Sequence, residues 1–233
     1  MFTLAIIGAD GAGKSTVCKE VQKIDKLPFK YIYMGVSSTS SNYSLPTTRL
    51  IATIKSRLGK TPSKAGPPDP SKQRKSRQKG LIKQFVWELK ACLRYSTWMS
   101  EEWYRQVLVW YYKWQGSIPL FDRHFFIDFY AYDIAKTNHY RSIASRVHGL
   151  TLKYLYPKPD MVIFLDAPPE LLFKRKGEGT VELLKGRREE YLNMQKLFEH
   201  FAIVDASQPL DDVIKDVFEL IHNHYLSTKK KSV

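Results

Sequence analysis

A segment near the N-terminus, residues 8–15, reads Gly-Ala-Asp-Gly-Ala-Gly-Lys-Ser and fits the pattern G-x-x-x-x-G-K-[ST] without a mismatch. The glycines of such a loop let successive backbone N–H groups turn toward one point, where they bind phosphate. In this pattern the lysine reaches the terminal phosphates of a nucleotide, and the following hydroxyl coordinates Mg²⁺. The segment therefore predicts ATP and Mg²⁺ as ligands, with binding residues Gly8, Ala9, Asp10, Gly11, Ala12, Gly13, Lys14, Ser15 and Thr16.

An acidic residue and a basic residue follow a later apolar segment, SIPLFD (117–122). Asp122 ends this segment and Arg123 comes next. Ligands of parallel sheets bind at the carboxyl ends of the strands. We therefore expect Asp122 to hold the Mg²⁺ ion through a water molecule and Arg123 to bind a phosphate with two hydrogen bonds. A purely structural salt bridge at the strand end is the alternative.

A third charged region, residues 174–191, reads KRKGEGTVELLKGRREEY. Phosphoryl transfer spreads negative charge over the equatorial oxygens, and a mobile segment that carries arginines neutralises this charge while it excludes water. The region is predicted to be such a lid, although charges three and four residues apart also occur on an ordinary solvated helix. Its basic residues are Arg175, Lys176, Lys185, Arg187 and Arg188.

These segments need a scaffold, and the apolar pattern predicts one. Short apolar runs, each of strand length, alternate with segments of helical periodicity. Such alternation predicts an α/β fold, with a parallel sheet of five strands covered by helices on both faces, as in P-loop NTPases. The whole chain, 1–233, is predicted to form a single domain. The predicted strands are 3–8, 31–35, 117–122, 161–166 and 202–207.

The net charge of +14 is concentrated in two parts of the chain. Residues 55–90 carry +9, and the lysines 229–231 in the basic tail, 227–233, carry +3. Residues 59–80 contain no large apolar side chain, so we expect a flexible basic insert. A solvated segment is one interpretation; contact with nucleic acid, an anionic membrane surface or an acidic partner is the other.

Other features limit the class of protein. Cys18 and Cys92 are far apart and lack the spacing of metal ligands, which indicates a reducing compartment. The sequence has no apolar run of 18 residues and no signal peptide, and a cytoplasmic location is expected. Tryptophans between Trp98 and Trp114 recur at helical spacing, which is typical of a core face or of a homodimer interface.

The chain resembles the thymidylate kinase family of nucleoside monophosphate kinases. The resemblance rests on GADGAGKST (8–16), FDR (121–123), PKPDMVIFLDAPPELLFKR (157–175) and VDAS (204–207), in this order and spacing. It covers about four-fifths of the chain and omits the basic insert. It is nearest to a thymidylate kinase-like subgroup found with bacterial surface-polysaccharide genes. The resemblance implies a kinase that transfers the γ-phosphoryl group of ATP to a small-molecule acceptor, dTMP, and forms dTDP.

The resemblance also implies roles for individual residues. Asp10 would meet the sugar hydroxyl of the acceptor, and Arg123 would bind the acceptor's phosphate. A lid arginine would come from Arg175, Arg187 or Arg188, because Gly11 stands where some family members carry an arginine in the loop. The turn at Asp205, Ala206 and Ser207 would lie beside the adenine.

The acceptor side departs from the family pattern. YMGVSSTS (33–40) replaces a proline-containing segment after the second strand, and Glu102 stands where an arginine holds the thymine, with Arg105 one helical turn away. Ile127 occupies a position that is often serine. Two alternatives therefore stay open. One is a kinase for a sugar or lipid-linked hydroxyl, with Asp10, Asp122 or Asp128 as base. The other is an ATP-switched module that binds polyanions.

Overall fold

The computed structural model describes residues 1–35, 41–46, 48, 50, 53, 80–135 and 140–230. The contacts divide the chain into two compact units. Unit 1 contains Met1–Tyr31, Tyr112–Arg123 and Pro159–Val233, and unit 2 contains Ile32–Tyr111 and His124–Lys158. The predicted basic insert, 59–80, lies outside the described residues except for Gly80. The prediction of a single domain stays a prediction.

A parallel sheet of five strands organises the fold, in the order β2-β3-β1-β4-β5. The central strand β1 (Leu4–Ile7) pairs with β3 (Ile118–Asp122) and with β4 (Met161–Asp166). β5 (His200–Asp205) pairs with β4 in parallel, and β2 (Phe29–Tyr33) is the other edge strand. The predicted α/β fold with a five-stranded parallel sheet is confirmed.

Burial explains why the central strands are continuously apolar. All four side chains of β1 are at most 1% exposed, because β1 has a strand on each side and helices against its faces. Removing one isoleucine side chain from water contributes about 1.5–3 kcal/mol to the free energy of unfolding. The well-packed centre of the sheet therefore provides a stable base for the loops at the strand ends.

The helices of unit 1 begin and end as the local sequence requires. α1 (Lys14–Gln22) starts directly after Gly13, which has a positive φ of 83°. Pro169 starts a later helix, where its missing N–H costs no hydrogen bond, and Gly177 ends that helix in the left-handed region. The side chain of Thr180 caps the next helix by accepting a hydrogen bond from the N–H of Leu183.

Unit 2 contains most of the longest helix, α2 (Leu81–Trp114), whose last residues belong to unit 1. After β3 come the short helix α3 (Phe125–Asp128), a π-helical turn (Tyr130–Ile134) and α4 (Ile143–Tyr154). α4 lies close to the turn: a Cβ atom added to Gly149 would be 2.2 Å from the carbonyl oxygen of Asp133. This close approach requires glycine.

The remaining helices return the chain to unit 1. α5 (Pro169–Lys176) and α6 (Val181–Asn193) follow β4, and the predicted lid, 174–191, corresponds to the end of α5, a short loop and most of α6. A 3-10 turn (Gln195–Leu197) leads to β5, and α7 (Leu210–Lys230) includes the first part of the predicted basic tail. Within the described residues, no helix combines the length and the apolar character needed to cross a membrane.

The tryptophans of α2 do not share one environment. Trp98 packs against Tyr95 and Phe129, and Trp103 packs against Tyr156. Trp110 and Trp114 are 48% and 83% exposed. The predicted aromatic stripe is therefore partly core and partly surface, and the predicted homodimer stays a prediction.

Candidate phosphate-binding site

The loop between β1 and α1 has the geometry that its glycines allow. Gly11 and Gly13 have φ values of 93° and 83°, in the region that L side chains rarely adopt. A Cβ atom on Gly11 would also lie 2.6 Å from the carbonyl oxygen of Leu172. The loop can therefore fold tightly against α5 only with glycine at this position. Its last residue leads into the N-terminus of α1, where N–H groups and the helix dipole favour an anion.

Lys14, the first residue of α1, is only 6% exposed although it is charged. Its Nζ atom donates a hydrogen bond of 2.8 Å to the carbonyl oxygen of Ala9 and lies 3.9 Å from Oδ1 of Asp10. The side chain thus folds back over the loop, and its ammonium group is held beside the glycines. This is the position from which a point charge can reach phosphates bound by the loop.

Asp122 lies at the end of β3 beside the loop and is completely buried. Its Oδ2 accepts hydrogen bonds from the hydroxyl of Ser15 and, at 3.0 Å, from the hydroxyl of Tyr31. Its Oδ1 has no hydrogen-bond partner among the described residues. A buried carboxylate oxygen without a partner is costly, and a hard cation beside it removes that cost. The residues present therefore fit Mg²⁺.

Arg123 follows Asp122 and is unusual in its backbone. Among the described residues other than glycine, it is the one with a positive φ, 70°. Such conformations cost about 1–3 kcal/mol and cluster at functional sites. The turn directs the guanidinium to Asp10, with which Nη2 forms a short ion pair, while the N–H of Arg123 donates to the carbonyl oxygen of Ile6 at 3.1 Å. The strained turn places a cation at the phosphate loop.

Asp10 is surrounded by positive charge. Burial alone would raise the pKa of its carboxyl group, but Arg123, Lys14 and Lys176 outweigh burial and lower the pKa to about 2. Lys176 contributes from the last turn of α5, with Nζ 3.7 Å from Oδ1 of Asp10. Asp10 is therefore ionised at any physiological pH, and besides Lys14 it holds Arg123 and Lys176, which belong to separate elements, close to the loop.

One cleft of about 260 Å³ inside unit 1 is lined by Asp10, Lys14, Ser15 and Arg123, whereas Asp122 is connected to it through the hydrogen bond with Ser15. The cleft combines loop backbone, hydroxyl groups and cationic side chains, which is the composition that binds a polyphosphate. Its lining residues are Asp10, Gly11, Gly13, Lys14, Ser15, Thr16, Arg123, Arg175 and Lys176.

The predicted lid arginines occupy three different positions. Arg175 lines the cleft and also donates a hydrogen bond of 2.8 Å to the carbonyl oxygen of Ala206. Arg188 of α6 forms two hydrogen bonds, of 2.6 and 2.7 Å, with the carboxylate of Asp166 at the end of β4, and these bonds raise the pKa of Arg188. Arg187 is not among the residues that line the cleft.

The turn after β5 is closed by its own aspartate. Oδ1 of Asp205 accepts hydrogen bonds from the N–H and the hydroxyl of Ser207, which also lower the pKa of Asp205. Ala206 is buried, and its N–H donates to the carbonyl oxygen of Asp166. The hydrogen bond from Arg175 to Ala206 connects this turn to α5. Asp205, Ala206 and Ser207 themselves do not line the cleft.

Glu102 and Arg105, which the sequence placed on the acceptor side, are both interior residues of unit 2. Arg105 is 1% exposed, and its guanidinium donates to carbonyl oxygens of Tyr33, Gly35 and Tyr43 and pairs with Glu101. Arg105 therefore joins the end of β2 and the following segment to α2. A guanidinium with this many protein acceptors has a structural task.

Glu102 is fully buried and pairs with His148 of α4, with distances of 2.9 and 3.1 Å from Nε2 to the two carboxylate oxygens. The other ring nitrogen of His148, Nδ1, lies 2.7 Å from Oδ2 of Asp133. Burial lowers the pKa of His148, but the hydrogen bonds to Asp133 and Glu102 and their charges outweigh it and raise the pKa to about 9. The imidazolium thus bridges two buried carboxylates.

Three residues near these groups were not predicted as site residues: Tyr31, Lys176 and Asp166. Lys176 stood in the predicted lid, where its closeness to Asp10 has no sequence signal. Tyr31 belongs to a strand whose place in the sheet cannot be read from the sequence. Asp166 is the last residue of the predicted strand 161–166, but its pairing with Arg188 depends on the packing of α6.

Comparison with curated proteins gives one consistent group of relatives, all named as probable thymidylate kinases. A probable thymidylate kinase of Archaeoglobus fulgidus is 32% identical over 123 residues, covering 50% of this chain and 59% of the relative. One of Thermococcus gammatolerans is 28% identical over 126 residues, covering 48% and 54%. A probable thymidylate kinase 1 of Saccharolobus solfataricus is 35% identical over 75 residues, covering 30% and 39%. The chain spans about half the length of these curated relatives, and no family model matches it.

The parallel sheet, the glycine-rich loop that leads into α1 and the basic cleft define a P-loop protein with the fold of a nucleotide kinase. The relatives narrow this class: the chain is thymidylate kinase-like. The resemblance to thymidylate kinases seen in the sequence motifs is confirmed over about half of the chain, and the nearness to the surface-polysaccharide subgroup stays a prediction.

Proposed function

We propose that the protein transfers the γ-phosphoryl group of ATP to a nucleoside monophosphate, with dTMP as the first candidate acceptor. The observation that carries the proposal is the convergence of Lys14, the Ser15–Asp122 pair and the Arg123–Asp10 pair at one cleft of unit 1. The names of the relatives, probable thymidylate kinases, support dTMP as the acceptor.

The residues of the cleft have separable tasks in such a reaction. The loop N–H groups and Lys14 hold the phosphates of the donor and stabilise the charge that develops during transfer. Arg123 offers a planar guanidinium that can exchange its partner Asp10 for an acceptor phosphate. A monophosphate acceptor is already a nucleophile, so positioning can provide the rate enhancement without a general base.

Mg²⁺ is the proposed cofactor, held by Ser15 and by Asp122. When bound, the ion neutralises charge on the β- and γ-phosphoryl oxygens. Among the described residues there is no group of three or more His, Cys, Asp or Glu side chains that could enclose a metal ion. Bound with a nucleotide, Mg²⁺ uses one or two protein ligands together with phosphate oxygens and water, and Ser15 and Asp122 would supply these protein ligands.

The lid assignment for 174–191 is also part of the proposal. Arg175 and Lys176 already line the cleft, whereas Arg188 must release Asp166 before it can reach a phosphate. In this exchange the guanidinium of Arg188 would lose two hydrogen bonds to the carboxylate of Asp166 and form two to a phosphate, so the number of charge-assisted hydrogen bonds would stay the same. Arg175 is therefore the first candidate for the arginine that meets the transferred group.

A coupled assay of ADP release tests the function directly. We expect dTMP, or another nucleoside monophosphate, to stimulate ADP release well above the rate with ATP alone. If no monophosphate has this effect, the nucleotide-kinase proposal is wrong. Stimulation by a sugar or lipid-linked sugar in the same assay would instead support a hydroxyl acceptor.

Arg123→Ala tests the acceptor side. We expect the KM of the acceptor to rise and kcat to fall, together by roughly tenfold to hundredfold, because a charge-assisted hydrogen-bond pair is lost. The dissociation constant of ATP should change by less than about twofold, since the loop and Lys14 hold the donor. Arg123→Lys is the matched control, and it should restore only part of the activity because lysine lacks the planar fork. Equal losses of ATP and acceptor binding would show that Arg123 is structural.

Asp122→Asn tests the metal site by nucleotide binding, so the result does not depend on enzymatic turnover. The amide keeps the shape of the carboxylate but not its charge, so the Mg²⁺ concentration needed to strengthen binding of a fluorescent ATP analogue should rise about tenfold or more. Binding of the analogue without metal should remain close to that of the wild type. Asp25→Asn, the same change at an exposed position, is the control. An unchanged Mg²⁺ requirement in Asp122→Asn would exclude Asp122 as a metal-holding residue.

A further inference from the structure

The first half of α2 exposes a row of large apolar side chains to solvent. Six of them are between 41% and 84% exposed, and most recur four residues apart. On a helix this spacing places them along one face. The opposite face is anchored, because Gln84, Ala91 and Tyr95 are buried. The exposed residues are Leu81, Ile82, Phe85, Val86, Leu89 and Leu93.

α4 has a second apolar row in the same unit. Ser145, His148 and Leu152 are buried, whereas the residues on the other side of the helix are between 49% and 68% exposed. They recur at intervals of three and four residues, as one face of a helix requires. The exposed residues are Ile143, Val147, Leu150 and Tyr154.

The two rows begin beside each other. The N–H of Ile143 donates a hydrogen bond of 3.1 Å to the side chain of Glu88, and the amide of Gln84 donates one of 3.2 Å to the hydroxyl of Tyr140. The start of α4 therefore lies against residues 84–88 of α2. We call the two rows together the α2–α4 face. An apolar face of this extent is uncommon on a soluble surface and marks a site of interaction.

The charges that border the α2–α4 face have one sign. Lys83, Lys90 and Arg94 are exposed on α2, and Arg146 and Lys153 are exposed on α4. Residues 81–94 contain one acidic residue, Glu88, whose carboxylate accepts hydrogen bonds from Gln84 and Ile143, and 143–154 contain none. The sequence that precedes α2, residues 55–79, adds nine lysines and arginines against one aspartate.

We propose that the α2–α4 face docks on an anionic membrane surface, with its apolar side chains at the boundary of the acyl chains and its cations at the headgroups. An apolar helix face with lysines and arginines at its edge is the pattern of helices that lie in a membrane interface. Each cation near an anionic surface adds to the attraction. The protein would lie on the surface and would not cross the bilayer.

The charge pattern disfavours the other occupants of this face. A second copy of the chain would bring cations of the same sign together, which is unfavourable. Nucleic acid would satisfy the cations, but it binds through stacking on aromatic side chains, and the exposed residues are mostly aliphatic. Anionic lipid satisfies both the aliphatic residues and the cations.

Sedimentation with vesicles tests the proposal on the full chain. The vesicles are phosphatidylcholine alone, and phosphatidylcholine with about 30% phosphatidylglycerol, at low and high salt. We expect the chain to sediment with the mixed vesicles at low salt, to bind several-fold more weakly at high salt, and to bind neutral vesicles least.

Two double variants separate the contributions of apolar contact and charge. Phe85→Ser with Leu89→Ser should weaken binding to mixed vesicles about tenfold or more, because two apolar side chains that would enter the membrane interface are lost. Lys83→Gln with Lys90→Gln should weaken binding several-fold and reduce its salt dependence. The control Leu210→Ser removes a side chain of unit 1 that is 44% exposed, and it should have no effect.

Four outcomes would overturn the proposal. The first is equal binding, or no binding, to neutral and mixed vesicles. The second is a chain that forms a dimer in light scattering, with the dimer lost in the Phe85→Ser, Leu89→Ser variant. The third is binding of an oligonucleotide that is stronger than vesicle binding and insensitive to the apolar variant. The fourth is a fall of several degrees in the Tm of that variant, which would show that another segment of the chain covers the face.

Discussion

Lys14→Ala is expected to reduce phosphoryl transfer by at least about a hundredfold while the protein stays folded. The Nζ atom of Lys14 is held at the loop by the carbonyl oxygen of Ala9, beside the carboxylate of Asp10. Its charge is therefore already in place before the reaction, and removing it takes away stabilisation of the developing negative charge. The turnover rate with ATP, Mg²⁺ and the active acceptor is the measurement.

Two further variants make this result specific. Lys14→Met keeps the volume of the side chain and removes only the charge, so its turnover should fall as much as that of Lys14→Ala. Lys19→Ala removes an exposed lysine of the same helix and should leave turnover close to that of the wild type. Circular dichroism and the Tm should show folded protein in all three. If Lys14→Met keeps wild-type turnover, the loop does not bind the phosphates that react.

The sequence was informative where one short segment determines the geometry. The turn at residues 8–15 needs glycine at positions with positive φ, and the lysine and serine follow at fixed distances along α1. The three inner strands β1, β3 and β4 could be predicted for a similar reason, since strands buried on both faces are continuous apolar runs. The edge strands β2 and β5 are only partly buried, and each begins and ends two residues earlier than predicted. The end of each strand then places residues such as Asp122 at the correct edge of the sheet.

Contacts between distant segments could not be predicted in this way. The pairing of Arg188 with Asp166 depends on where α6 lies, and the bond from Tyr31 to Asp122 depends on the order of the strands. Glu102 is the clearest case. The resemblance to thymidylate kinases placed Glu102 on the acceptor side, where an arginine would hold the thymine. In the structure Glu102 instead pairs with His148, which is 46 residues away in the sequence.

Replacing His148 in the cluster formed by Glu102, His148 and Asp133 is expected to cause a large loss of stability. Both carboxylates contact the imidazole, and Tyr95 and Ser145 also donate to Oδ1 of Asp133. All these side chains are buried. His148→Ala leaves two buried carboxylates without their cation, and breaking such a group costs about 3–5 kcal/mol of the free energy of unfolding. We expect a loss of this size by urea denaturation at pH 7.

The same cluster predicts how stability depends on pH. The pKa of His148 is about 9 in the folded protein, above the ordinary value of 6.5 that applies to the unfolded chain. The folded state therefore binds the proton more tightly. The stabilisation is complete below pH 6.5, and it is lost as the pH rises toward and through 9. A difference of this size between the two pKa values corresponds to about 3 kcal/mol.

His148→Gln separates the titration from the loss of packing. Glutamine retains a polar side chain that can donate to one carboxylate, but it cannot take up a proton in this range. The difference in unfolding free energy between the wild type and His148→Gln should be largest below pH 6.5 and should shrink by about 3 kcal/mol by pH 10. Arg146→Gln removes an exposed cation of the same helix and should be nearly neutral at both pH values. A difference that stays constant with pH would mean that His148 is neutral in the folded protein, with one of the two carboxylates carrying the proton between them.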